Sequence, residues 1–132
     1  MMELNKEKIK DLLNELPFSQ QSYWVLMGAA LVMYGIKDTT HDIDLGCTDE
    51  LFAHLRESGY SVVVNRMGKA KIRFSDYITI YQNWLCDSNV MIEGVPVCDL
   101  NTIIKDKQAL GRGKDLADLQ LIALFQGDEQ MG

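Results

Sequence analysis

The sequence predicts an α+β fold, and three observations carry that prediction. Residues 23–47 pass in a short space from an apolar, β-favouring run through a glycine and a short helical run to a second strand. Residues 60–81 hold three strand-like runs separated by turns at Gly68 and at Ser75-Asp76. Helical patterns frame both stretches, at 6–16, 49–58 and 99–110 and again from Asp115 onward. At 132 residues the chain has the length of one domain, enough to bury a core.

In order, the first helix is capped by Asn5, presents Ile9, Leu12, Leu13 and Leu16 as its apolar stripe, and ends at Pro17. Tyr23 to Met27 is a buried strand that Gly28 stops, and Ala29 to Tyr34 is a short helix closed by Gly35. Beyond a polar loop, Ile36 to His41, lies the strand that begins Asp42-Ile43-Asp44-Leu45. Asp49 then caps a helix with Leu51, Phe52 and Leu55 inward and Gly59 at its end. Strands follow at Tyr60 to Val64, Ala70 to Phe74 and Tyr77 to Tyr81. Asn83 to Asn89 is a loop around Trp84, and Val90 to Val97 an extended pair turning at Glu93-Gly94, with Pro96 marking a sheet edge. Asp99 caps the helix through Leu110, and Asp115 caps the last one.

Composition narrows the function classes. The hydrophobic share of 47% and charged share of 24% are those of an ordinary globular protein. No apolar run reaches the length of a membrane span and the N-terminus is charged, so no membrane partner and a cytoplasmic location are expected. Cys47, Cys86 and Cys98 are odd in number and widely spaced, which predicts buried reduced thiols and no zinc. A net charge of −6 predicts no extended nucleic-acid surface. It leaves room for local basic groups such as Lys69, Lys71 and Arg73, which alternation puts on one strand face, either as a solvated face or against a triphosphate or an acidic partner.

Two residues concentrate the chemistry. On a strand Asp42 and Asp44 share one face while Ile43 and Leu45 anchor the other. Carboxylates held side by side repel unless a cation lies between them, and an oxygen-only ligand pair suits Mg²⁺ or Mn²⁺. His41 directly precedes the pair, and a histidine there is more often an ordinary loop residue than one that touches a substrate.

The succession of strand, glycine turn at Gly28-Ala29, short helix and Asp42-Ile43-Asp44-Leu45 resembles the nucleotidyltransferase superfamily, which includes DNA polymerase β and the lincosamide nucleotidyltransferases. A second stretch, Leu110-Gly111-Arg112-Gly113-Lys114-Asp115-Leu116-Ala117-Asp118-Leu119, is similar to the single-domain, AbiEii-toxin-like branch. The resemblance implies a mixed β-sheet backed by helices, the nucleotidyltransferase-like fold. It also implies transfer of a nucleoside monophosphate from an NTP to a hydroxyl-type acceptor. Asp42 and Asp44 then hold the metal ions, and Gly28, Ala29 and the amides after them receive the triphosphate. Arg112 and Lys114, two cations at a glycine-flanked helix start, are the further phosphate ligands.

The family's third carboxylate comes from a later strand, and there this sequence departs from the pattern. In Tyr77-Ile78-Thr79-Ile80-Tyr81 the slot falls to Thr79, and Asp76 reaches the site only through a bulge. Two readings follow: an enzyme with Asp42, Asp44 and Asp76 as its carboxylates, or a nucleotide- or partner-binding module of a toxin–antitoxin kind. Larger relatives add a helical substrate domain, so an acceptor site here would come from a second subunit or a partner protein.

Overall fold

A computed structural model describes residues 2–66 and 68–131, the last four of these for their backbone alone. Five α-helices are found among them: α1 (Lys6–Asn14), α2 (Met27–Tyr34), α3 (Asp49–Glu57), α4 (Leu100–Leu110) and α5 (Gly113–Met131). The strands are β1 (Tyr23–Leu26), β2 (Ile43–Cys47), β3 (Val62–Val64), β4 (Ala70–Arg73), β5 (Ile78–Gln82), β6 (Asn89–Ile92) and β7 (Val95–Cys98). They form one mixed sheet in the order β3-β4-β5-β2-β1-β7-β6. The pairs β2/β5 and β1/β7 are parallel and the others antiparallel. The class is α+β, as expected.

Centrality follows from sequence. β1 is buried at all four positions, Tyr23, Trp24, Val25 and Leu26, and lies between β2 and β7. Residues buried on both faces suit a strand covered on both sides. α2 is apolar nearly throughout and packs against β1, β2 and β7, burying Ala29, Ala30, Leu31, Val32 and Met33. Gly35 ends it in the left-handed conformation, φ 81°, and its N–H donates back to the carbonyls of Leu31 and Val32. β2 carries Gly46 opposite Trp24 because nothing larger fits: an added Cβ would lie 2.1 Å from the indole Nε1.

Several expectations need correction. The helix after β2 is capped by Thr48, whose side chain accepts from the Leu51 amide at 3.2 Å, so Asp49 becomes its first residue. Pro96 is not at a sheet edge. β7 lies between β1 and β6, and the proline is tolerated because pairing with β1 is confined to Val25 opposite Val97.

The cysteines differ most. Cys86 and Cys98 form a disulfide, and only Cys47 remains a buried free thiol, pushed up to about 12 by burial. Sequence spacing hid the pair. The β6–β7 hairpin folds the chain back with Asn89 opposite Cys98, which brings Cys86, three residues before β6, onto the end of β7. The bridge spans 12 positions, a loop for which chain entropy gives about 3 kcal/mol. A dithiol reductant should therefore lower the melting temperature by roughly 10 °C in a chain of this size. Cys98→Ser should start near that lower value and not respond to reductant; equal melting of the oxidised and reduced wild type would show that the bridge adds nothing.

Among the described residues no helix is long and apolar enough to cross a membrane.

Candidate functional site

A cleft of about 610 Å³ opens at the end of the sheet where β1 finishes and β2 and β5 begin. β1 runs into α2 without a loop. The turn is made at Met27, which takes φ 53°, rather than at Gly28. A left-handed conformation costs an ordinary L-residue about 1–2 kcal/mol, strain of a kind that collects at functional sites. Gly28 serves a different purpose: an added Cβ would come within 3.0 Å of Thr40 Oγ1, so its smallness lets the following loop lie close. That loop is fastened from outside, since Leu4 and Thr40 exchange backbone hydrogen bonds of 2.7 and 3.0 Å. The first turn of α2 has no side-chain cap, leaving amides at the cleft's edge beside Gly28. Ala29 is buried in the core behind it.

Both aspartates line this cleft. Asp42 is exposed at the loop's end, and Asp44 is half-buried within β2. Burial, and then the charge of Asp42, raise the Asp44 carboxyl above its ordinary 3.8, while Lys114, Lys71 and Arg73 pull the other way. The same environment pushes Tyr81, also in the cleft, up to about 12, through burial and then the Asp44 charge. His41 and Lys114 line the cleft as well.

Thr79 is the direct register partner of Asp44 across the parallel β2/β5 pair, so it occupies the slot beside the two acids. Its hydroxyl is taken by Arg73, whose Nη1 donates at 2.9 Å. The same guanidinium donates to the Asp76 carbonyl and approaches Asp42 at 3.8 Å. The Arg73–Asp42 pair is about half exposed on both sides, so its contribution is under about 1 kcal/mol and it is easily exchanged. Asp76 itself is not drawn in. No bulge turns it, and it lines a separate depression with Leu12, Leu16 and Tyr77. The expected third catalytic carboxylate is therefore not placed with Asp42 and Asp44.

The opposite wall comes from α4 and α5. Arg112 faces the cleft, but its guanidinium is committed to Asp115, with Nε to Oδ2 at 2.6 Å and Nη2 to Oδ1 at 3.1 Å. Burial pushes the Asp115 carboxyl up, but the hydrogen bonds from Arg112, side chain and backbone, outweigh it and hold the group below 3.8. Behind them Lys107, 3% exposed, bonds Asp118 at 2.9 Å and Asp115 at 3.4 Å, and Lys37 reaches Asp118 from the other side at 3.3 Å. Sequence reading did not single out Lys107 as a buried charge. The signal was its position, one turn after Ile103 on the buried stripe of α4.

Around the cleft the side chains of Lys37, Lys71, Arg73, Lys107, Arg112 and Lys114 face three carboxylates, Asp42, Asp44 and Asp118, with a fourth, Asp115, buried behind Arg112 and Lys107. In a chain of net charge −6 this is a local excess of positive charge, and a concave site focuses such a field on an anion. The two acids at the centre ask for a cation and the walls for a polyanion. No protein-family model matches the chain, and neither does any curated protein or solved structure.

Proposed function

We propose that the cleft binds a nucleoside triphosphate as its Mg²⁺ or Mn²⁺ complex, in a nucleotidyltransferase-like fold comprising the whole chain as one domain. One observation carries this reading: a carboxylate pair, one member half-buried with a raised pKa, is set among six cationic side chains in an acidic protein. The donor set fits the ion, because Asp42 and Asp44 offer only hard oxygen ligands and their mutual repulsion is relieved by a divalent cation. In such a site the ion supplies charge stabilisation at the phosphorus that is attacked. The chain's own contribution is positioning. Asp42 and Asp44 hold the ions, the uncapped amides at Gly28 take phosphate oxygens, and Lys71 and Lys114 close on the same charge.

The reaction proposed is transfer of the nucleoside monophosphate to a hydroxyl-type acceptor with release of pyrophosphate. The acceptor is delivered by a partner protein or a second subunit. A second reading, binding without efficient transfer as part of a toxin–antitoxin-like pair, is favoured by one specific feature. Where a third carboxylate would stand, Thr79 carries the Arg73 guanidinium instead. General-base assistance is worth roughly a hundred- to ten-thousand-fold, so its loss would leave slow transfer.

Calorimetric titration of ATP, GTP, CTP and UTP with and without Mg²⁺ tests the binding. The expected result is binding of at least one, dependent on the metal; silence from all four at millimolar concentration would sink the proposal. Transfer of labelled NMP then separates the readings. A slow wild type accelerated by Thr79→Asp supports the second, and a fast wild type indifferent to that substitution supports the first.

A further inference from the structure

Beside the charged cleft lies a smaller one of about 200 Å³ that shares Asn65, Trp84 and Leu110 with it and is otherwise different in kind. Its remaining walls include Leu85, Ala109, Lys69 and Asp106. We infer that this second cleft is the nucleobase subsite, with Trp84 as the surface on which the base stacks. The inference rests on the nucleotide reading above and adds to it where the ring of the ligand goes.

Trp84 is held as a platform would be. Its indole Nε1 donates to Asp106 Oδ2 at 2.7 Å, and its carbonyl accepts from Trp24 Nε1 at 2.8 Å. Tyr81 meets the ring edge-on with centroids 4.9 Å apart. The loop that carries it is tied at its far end, where the Asp87 amide donates to Thr102 and the Ser88 amide to Asp99. Such anchoring is costly to provide for a side chain that lies in an open wall and only packs, but it suits a ring that must keep its plane while a ligand comes and goes.

The contents of the wall match a nucleobase. The Lys69 ammonium lies 5.4 Å from the indole centroid, so one face of the ring is turned to the cleft and already holds an electron-poor group. That ammonium also bonds the Asn83 carbonyl at 2.9 Å, which lets it stay bound while a flat ring takes its place over the indole. Leu85, 71% exposed, and Leu110 supply apolar cover on either side. Asp106 gives Oδ2 to Trp84, and among the described residues Oδ1 has no partner. It is an acceptor at the cleft for an exocyclic amino group. The charged cleft offers cations and carboxylates for the phosphate end, and this one offers a ring and one acceptor. Lying on a common wall, the two divide a nucleotide into its two chemistries.

The test compares MgATP with the magnesium complex of ribose 5′-triphosphate, which has the same charge and lacks only the base. By calorimetry, wild type should bind MgATP roughly 10- to 100-fold more tightly, the range that stacking of one base on an aromatic side chain supplies. Trp84→Ala should remove that difference, so that MgATP and ribose 5′-triphosphate bind alike. Should loss of the indole disturb folding, Ala109→Trp fills the same cleft from an exposed helix position, keeps every hydrogen bond and should have the same effect. Equal affinity of wild type for the two ligands, or an Ala109→Trp protein that binds MgATP like wild type, would overturn the subsite and leave the phosphate reading standing. If wild type binds neither of these ligands nor the magnesium complex of GTP, CTP or UTP, the nucleotide reading falls and the subsite with it.

Discussion

Asp44→Asn should raise the melting temperature of the metal-free protein and at the same time abolish its response to Mg²⁺ or Mn²⁺. Both effects come from one fact, that Asp44 is a half-buried carboxylate beside Asp42 with its pKa pushed above 3.8. In the folded state the charged form is disfavoured, so the native protein binds this proton more tightly than the unfolded chain. Stability from this group is complete below pH 3.8 and is lost as pH rises through the folded-state pKa. At neutral pH the wild type bears the whole penalty and the amide bears none. The advantage of Asp44→Asn should therefore shrink as pH is lowered and vanish below 3.8. For wild type, a divalent ion at about a hundred times its Kd stabilises by about 2.7 kcal/mol, a rise of roughly 10 °C for this chain length. Differential scanning calorimetry at two pH values, with and without metal, measures all of this. A wild type that does not shift in tens of millimolar Mg²⁺ and Mn²⁺ would reduce the pair to two solvated acids.

Lys107→Met should be the most damaging single change behind the cleft, lowering stability by about 3–5 kcal/mol. The methionine fills nearly the same space, so the cost is electrostatic. Asp115 is fully buried and Asp118 nearly so, and removing the cation between them leaves each with one partner, Arg112 and Lys37 respectively. The sign of the pH dependence separates this mechanism from a packing defect. In wild type the depressed pKa of Asp115 contributes stability above 3.8 that is lost as pH falls through its folded-state value. Without Lys107 the buried acids have more to gain from protonation, so the deficit of the variant should be largest at pH 7 and smaller near pH 4. Urea denaturation at the two pH values checks it, and a deficit independent of pH would mean that the lysine acts by packing alone. The pairs also set the geometry of the cleft wall, since Asp115 holds Arg112, and Asp115 and Asp118 together hold Lys107, to one end of α5.

Most of the elements were legible because their signals are local. Asn5 capping α1, Gly35 and Gly59 ending helices, Asp99 capping α4 and the Glu93-Gly94 hairpin each rest on a few consecutive residues, and each is found in the structure. The place of Thr79 beside Asp44 came from the family resemblance, which put it in the third acid's slot, and the β2/β5 register pairs the two residues.

What sequence alone determined, then, is the α+β class, the order of the elements and the presence of an acid pair, Asp42 and Asp44, where the strand after the short helix begins. Tertiary structure decided everything that depends on which strands become neighbours. It put β7 in the interior of the sheet, making Pro96 an interior residue, and closed Cys86 on Cys98 through a hairpin that no spacing rule announces. It carried Asp76 away to another depression and set Arg73 on Thr79 in its stead. It brought Lys107 of α4 and Asp118 of α5 into a buried pair 11 positions apart. The physical reason is common to these cases. Capping, turns and alternation are fixed by interactions within one turn or one strand, whereas pairing order and burial of charge are settled by the free energy of the assembled core. That energy sums over residues far apart in the chain, and no short stretch contains it.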